Sequence, residues 1–145
     1  MDDMMFRMME LKHNGYYCSQ IMMQMALETQ DKTNPDLIRS MAGLAFGAGI
    51  GEICGALTGG ACILSLYGGK GTDEDEENFR LMGMLHELGD WFRETYAGQY
   101  GGISCDAISE DGSQRNERCG AVVAATYQKV LEILVANEFD LTEGK

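Results

Sequence analysis

The stretch AGLAFGAGIGEICGALTGGACILSLYGG, residues 42–69, decides how this chain is read. Gly43, Gly47, Gly51, Gly55 and Gly59 recur at every fourth position. On a helix that spacing lays the glycines along one slowly drifting stripe. Each costs a helix about 1 kcal/mol relative to alanine, so five of them require a compensating gain. Close approach of another backbone supplies it, or contact with a cofactor; Gly55 and Gly59 are the candidates for the second role. A break near Gly47-Ala48-Gly49-Ile50-Gly51 would divide the stretch into two helices. Its single charge, Glu52, its glycines and the acidic residues after Thr72 argue against a membrane span, which asks for about 20 apolar residues with basic flanks.

Helical periodicity dominates on both sides. Met5, Phe6, Met9 and Leu11 predict a short first helix, stopped by Asn14-Gly15. A second runs from Tyr17 to Thr29, with Ile21, Met22 and Met25 on one side and Cys18 beside them. Asn34 caps a third, with Pro35, the only proline, at its first position. The acidic run Asp73-Glu74-Asp75-Glu76-Glu77 reads as a helix N-terminus, where carboxylates complement the macrodipole. That helix carries the stripe Phe79, Met82, Leu85, Leu88, Phe92 and Tyr96, and gives way to a loop over Gly98 to Gly102. Residues 105–114 read as irregular. The last helix spans Asn116 to Asn137 and turns Val123, Tyr127, Val130, Leu131 and Leu134 inward. The expected fold is all-α, a compact bundle of five or six helices around a glycine-rich central helix, with residues 1–145 forming a single domain.

The net charge of −12 works against nucleic acid and anionic membrane surfaces, which need Lys and Arg to neutralise phosphates. The start Met1-Asp2-Asp3 lacks the basic, then apolar character of a secretory signal. Five cysteines, an odd number, then point to reduced or metal-bound thiols in the cytoplasm rather than to a disulfide framework.

Those cysteines are Cys18, Cys54, Cys62, Cys105 and Cys119. None forms Cys-x-x-Cys, so thioredoxin, zinc-ribbon and haem-attachment motifs are absent. On one continuous helix Cys54 and Cys62 would stand about 12 Å apart by rise alone, beyond the roughly 7 Å limit of a disulfide. Any cluster must draw its thiols from separate elements, and Cys62 should point elsewhere. Cys119 falls in the first turn of the last helix, where the dipole favours thiolate. His86 and Asp90 share the i, i+4 spacing of a metal-gripping pair, a spacing that surface helices also produce by chance. His13 reads as a helix C-terminal residue. Gly47-x-Gly49-x-Gly51 misses the dinucleotide fingerprint, and no strand precedes it. The eleven methionines read chiefly as adaptable core filling, with an exposed binding groove as the alternative.

Taken together, several segments carry a family resemblance. They are Tyr17-Cys18-Ser19-Gln20, Phe46 to Gly51 leading into Cys54-Gly55-Ala56-Leu57-Thr58-Gly59, Ile103-Ser104-Cys105, and Cys119 opening the last helix. Over residues 10–135 the chain resembles the family named for its C, GCAxxG, C, C cysteine pattern, whose members are described as redox-active. It departs from the pattern in reading Cys54-Gly55-Ala56 where the motif reads Gly-Cys-Ala, so Cys62 becomes an extra or alternative member. Related modules occur in split-Soret-type cytochromes, electron-transfer proteins with an iron–sulfur centre. The resemblance therefore implies a redox protein that uses Cys18, Cys54, Cys105 and Cys119, with an iron–sulfur cluster preferred over a bare dithiol. Zinc on the same ligands is a structural alternative. A helical interaction module with merely buried cysteines is a third reading. The implied partner is a redox protein, and a second copy of the chain in a homodimer is a further candidate.

Overall fold

The computed structural model describes residues 3–144, and among them all regular structure is helical. Seven α-helices follow in order: α1 Asp3–His13, α2 Cys18–Thr29, α3 Pro35–Met41, α4 Gly55–Gly68, α5 Leu81–Tyr100, α6 Cys105–Ser109 and α7 Arg115–Ala136. Helix α4 lies at the centre and packs against α2, α5 and α7. One core joins Met22 and Met23 of α2, Ile63 and Leu64 of α4, Leu88 and Phe92 of α5, and Val130 and Leu134 of α7. The all-α architecture matches the sequence expectation, with a central helix half the expected length.

Several boundaries follow their sequence signals. Helix α1 ends at His13, and Gly15 takes the left-handed φ of 97° that the turn requires. The Asn34 side chain accepts the Leu37 N–H at 3.1 Å, with Pro35 at the first helical position. In α1 the buried residues are Met8 and Leu11, whereas Phe6 and Met9 stand exposed.

The glycine-rich stretch departs most from expectation. The five glycines do not form a stripe on one helix. Ala42–Leu44 makes a single 3-10 turn, residues 45–54 form a loop, and only Gly55 and Gly59 lie on α4. Phe46, Ala48 and Gly49 take left-handed φ values of 56°, 59° and 76°. Gly47 and Gly51 are required by space as well as by φ. A Cβ on Gly47 would strike the Glu52 backbone, and one on Gly51 the Asp106 carboxylate. The stretch 42–67 is thus not one continuous helix. Helix α7 is long and apolar enough to cross a membrane by length and composition, and its Val122, Val123, Val130, Ile133 and Leu134 are buried in this fold.

Two further boundaries differ. The acidic run does not open α5, which starts at Leu81. Asp75 instead accepts the backbone N–H groups of Gly71 and Glu76 at 2.9 Å each, while Lys70 Nζ donates to the carbonyls of Asp73 and Asp75. Local side-chain bonds of this kind compete with helix. Phe79 and Met82 are consequently exposed, and only Leu88, Phe92 and Tyr96 of the expected stripe are buried. At its other end α5 runs through Gly98 to Tyr100, where the Tyr96 and Tyr100 rings stack at 5.9 Å and Gly101, at φ 81°, ends the helix.

Helices α2 and α4 meet through small residues. A Cβ on Gly55 would lie 2.8 Å from Cys18 Sγ and 3.0 Å from the Leu44 carbonyl oxygen; one on Gly59 would lie 3.3 Å from Ser19 Cα. At Gly83 of α5 an added methyl meets nothing within 4 Å. Gly55→Ala should therefore destabilise the fold, by about 1–3 kcal/mol for overpacking, while Gly83→Ala should stabilise it by up to about 1 kcal/mol. Thermal melts check both signs, and a Gly55→Ala protein as stable as the parent would show that α2 and α4 do not depend on this contact.

Candidate functional site

Four of the five cysteines come from four separate elements and lie within electrostatic reach of one another in several pairs, Cys18 with Cys54, Cys105 and Cys119 among them. Cys18 is the first residue of α2, where the Gln20 side chain accepts the Tyr17 N–H at 3.0 Å and fixes the start of the helix. Cys54 is the N-cap residue of α4. Cys105 opens α6, whose N-cap Ser104 accepts the Ala107 N–H at 3.0 Å. Cys119 stands in the second turn of α7, which begins at Arg115.

A short antiparallel bridge between Ile53 and Ser104 ties the two segments that carry Cys54 and Cys105. The Cys54 N–H donates to the Ile103 carbonyl at 3.0 Å, and the Cys105 N–H donates to the Glu52 carbonyl. The two cysteines thus stand at diagonal positions on either side of the bridge, a relation that their separation in the chain hides. Cys18 reaches the same place because Gly55 leaves room for its sulfur.

The thiols sense one another electrostatically. Burial pushes Cys18 up to about 11, with charge at Cys119 and Cys105 adding to the rise. Burial pushes Cys54 up to about 12, with Cys18 and Cys119 adding. Opposing this, the backbone N–H groups of Ser19 and Cys18 lower the value at Cys18, and those of Ala56 and Leu57 lower it at Cys54. Cys119 corrects an expectation: its pKa is raised, because burial and Cys105 outweigh the lowering by Arg115, Lys12 and Arg118. Helix α7 starts one turn before it, so the dipole effect has faded there.

Cys62 lies in the body of α4, half-buried, and no other cysteine contributes to the rise that burial causes in its pKa. Gly55 borders the Cys18 sulfur, whereas Gly59 faces Ser19 and Met22 of α2. His86 and Asp90 are exposed, and Asp90 pairs with Arg93 at 3.9 Å. Among the described residues no three His, Cys, Asp or Glu side chains stand close enough to hold a single metal ion. Backbone N–H groups lower the pKa of two of the four thiols, Cys18 and Cys54.

An apolar cavity lies beside Cys18 and Cys119, lined by methionines of α1, where the sequence offered a methionine groove only as the lesser alternative to core filling. Its signal was present in the run Met4-Met5-Phe6-Arg7-Met8-Met9, more methionine than one buried helical face requires.

The raised thiol pKa values fix a dependence of stability on pH. A thiol that resists ionisation in the fold contributes fully below the ordinary value of 9.0. Above it the unfolded chain loses the proton first, so the contribution fades as pH rises towards the folded values of about 11 and 12. Stability measured by denaturant should fall between pH 9 and 11 less steeply in Cys54→Ala than in the parent, by up to about 1.4 kcal/mol per pH unit. Equal slopes would show that Cys54 titrates freely.

The family model described as "Putative redox-active protein (C_GCAxxG_C_C)" matches residues 16–133. No curated protein and no solved structure matches the chain. The matched span contains every cysteine and runs from the start of α2 nearly to the end of α7. By this match, which covers most of its length, the chain belongs to the C_GCAxxG_C_C family.

Proposed function

We propose that the protein is an electron carrier holding an iron–sulfur cluster on Cys18, Cys54, Cys105 and Cys119, and that it exchanges single electrons with a redox partner protein. The observation that carries this reading is the electrostatic contradiction at Cys18 and Cys54. Nearby backbone N–H groups favour thiolate at both sulfurs, yet burial outweighs them and favours the neutral thiols. A buried anion is costly unless a cation compensates it, and a coordinated metal deprotonates its thiol outright. Bound iron would supply reversible one-electron chemistry at a potential set by burial and by hydrogen bonds to sulfur.

Four thiolates are the ligand set of common iron–sulfur centres, with zinc on the same ligands as the alternative, and the thiols lie near enough to raise one another's pKa. A bare dithiol suits the site less, since exchange requires thiolate and burial suppresses it at Cys18 and Cys54. Five free cysteines fit a reducing compartment such as the cytoplasm.

Purification and reconstitution with iron and sulfide, both without oxygen, test the proposal. The protein should then absorb broadly across the visible range and contain iron and acid-labile sulfide. A colourless protein without iron after reconstitution would contradict it, as would zinc bound at one per chain.

A further inference from the structure

The cavity between α1, α2 and the first turns of α7 does more than expose two cysteines. It encloses about 250 Å³. Met5, Met8 and Met9 of α1, Ile21 of α2, Phe46 of the loop and Val123 of α7 make its walls apolar, and Cys18 and Cys119 border it. Two cations, Lys12 and Arg115, share this lining. In a chain of net charge −12 their situation is unusual. Among the described residues neither forms an ion pair with a carboxylate, and their electrostatic neighbour is the Cys119 sulfur. The Arg115 guanidinium lies over the Phe46 ring at 4.8 Å, a stacking that leaves the donors at its edge available.

Size and lining together define a ligand. A dry apolar cavity of about 150 Å³ takes up benzene, so this one has room for roughly ten to twelve non-hydrogen atoms. Methionine side chains adapt to flat aromatic groups and make favourable sulfur–ring contacts. The two cations at the lining call for one negative charge on the same molecule, best met by a carboxylate that can take both guanidinium donors. We propose that the cavity binds a small apolar carboxylate of bicyclic aryl size, with its rings among the α1 methionines and its carboxylate at Lys12 and Arg115. This goes beyond the electron-carrier reading and is a property of the iron-free chain, since Cys18 and Cys119 line the same cavity.

The test is calorimetric titration of 2-naphthoate into the full chain, purified without oxygen and stripped of iron, with neutral 2-naphthamide as the control. Gly120 borders the cavity, and a Cβ there meets nothing within 4 Å. Gly120→Leu should therefore fill the mouth while melting no lower than the parent. Naphthoate should bind at one per chain and shift the methyl signals of Met5, Met8 and Met9 in a methionine-labelled spectrum. Binding should be at least tenfold weaker for naphthamide and in Arg115→Gln, and lost in Gly120→Leu. Failure of naphthoate to bind the parent would overturn the proposal, as would equal binding by Gly120→Leu. Naphthamide binding as tightly as naphthoate would overturn the assignment of a carboxylate. All these readouts are taken on chain stripped of iron by a chelator, so failure here is distinct from failure of the electron-carrier reading.

Discussion

The close approach of α2 and α4 is the contact on which the rest of the molecule depends. Gly55 and Gly59 present bare backbone to Cys18 and Ser19, and the fully buried Ser19 donates its hydroxyl to the Met41 carbonyl at 2.7 Å. With α4 seated against α2, its other sides are free to receive α5 and α7. The same contact puts the Cys18 sulfur against Gly55, one residue from Cys54. Packing and chemistry therefore share one surface. A side chain larger than hydrogen at Gly55 would disturb both.

The second constraint is the loop over residues 45–54. It replaces helix with left-handed backbone at Phe46 and Ala48, conformations that non-glycine residues adopt at a cost. The strain is held by the Ile53–Ser104 bridge and by the space that Gly47 and Gly51 leave for Glu52 and Asp106. In return Cys54 and Cys105, on elements far apart in sequence, become neighbours. Bringing these sulfurs into an apolar setting raises the pKa of three of them by desolvation, at Cys18, Cys54 and Cys119. The N–H donors of α2 and α4 reduce that penalty at Cys18 and Cys54 without removing it. Sulfurs held in this way are poor lone nucleophiles.

Legibility in the sequence followed the range of each interaction. Local signals were sound: Asn34-Pro35 opened α3, and Asn14-Gly15 closed α1. The helical class and the cysteine pattern were also readable. The glycine spacing misled because a period of four suits a helix, while glycine equally supplies positive φ. The alternation Gly47-x-Gly49-x-Gly51, which no helix face needs, was the clue to the second use. The acidic run misled because Asp75 bonds nearby backbone N–H groups and keeps the segment out of the helix. The Ile53–Ser104 bridge was invisible, since a pairing of two residues has no periodicity. Nor could charge on α1 be linked to α7 before both were seen to flank Cys119.

Whether four specific cysteines share one centre is decided most directly by the iron retained in single Cys→Ser variants after reconstitution without oxygen. Replacement of Cys18, Cys54, Cys105 or Cys119 should each lower iron per chain and bleach the visible absorption, while Cys62→Ser should match the parent. Loss of iron in Cys62→Ser, or full retention in Cys54→Ser, would contradict the shared centre.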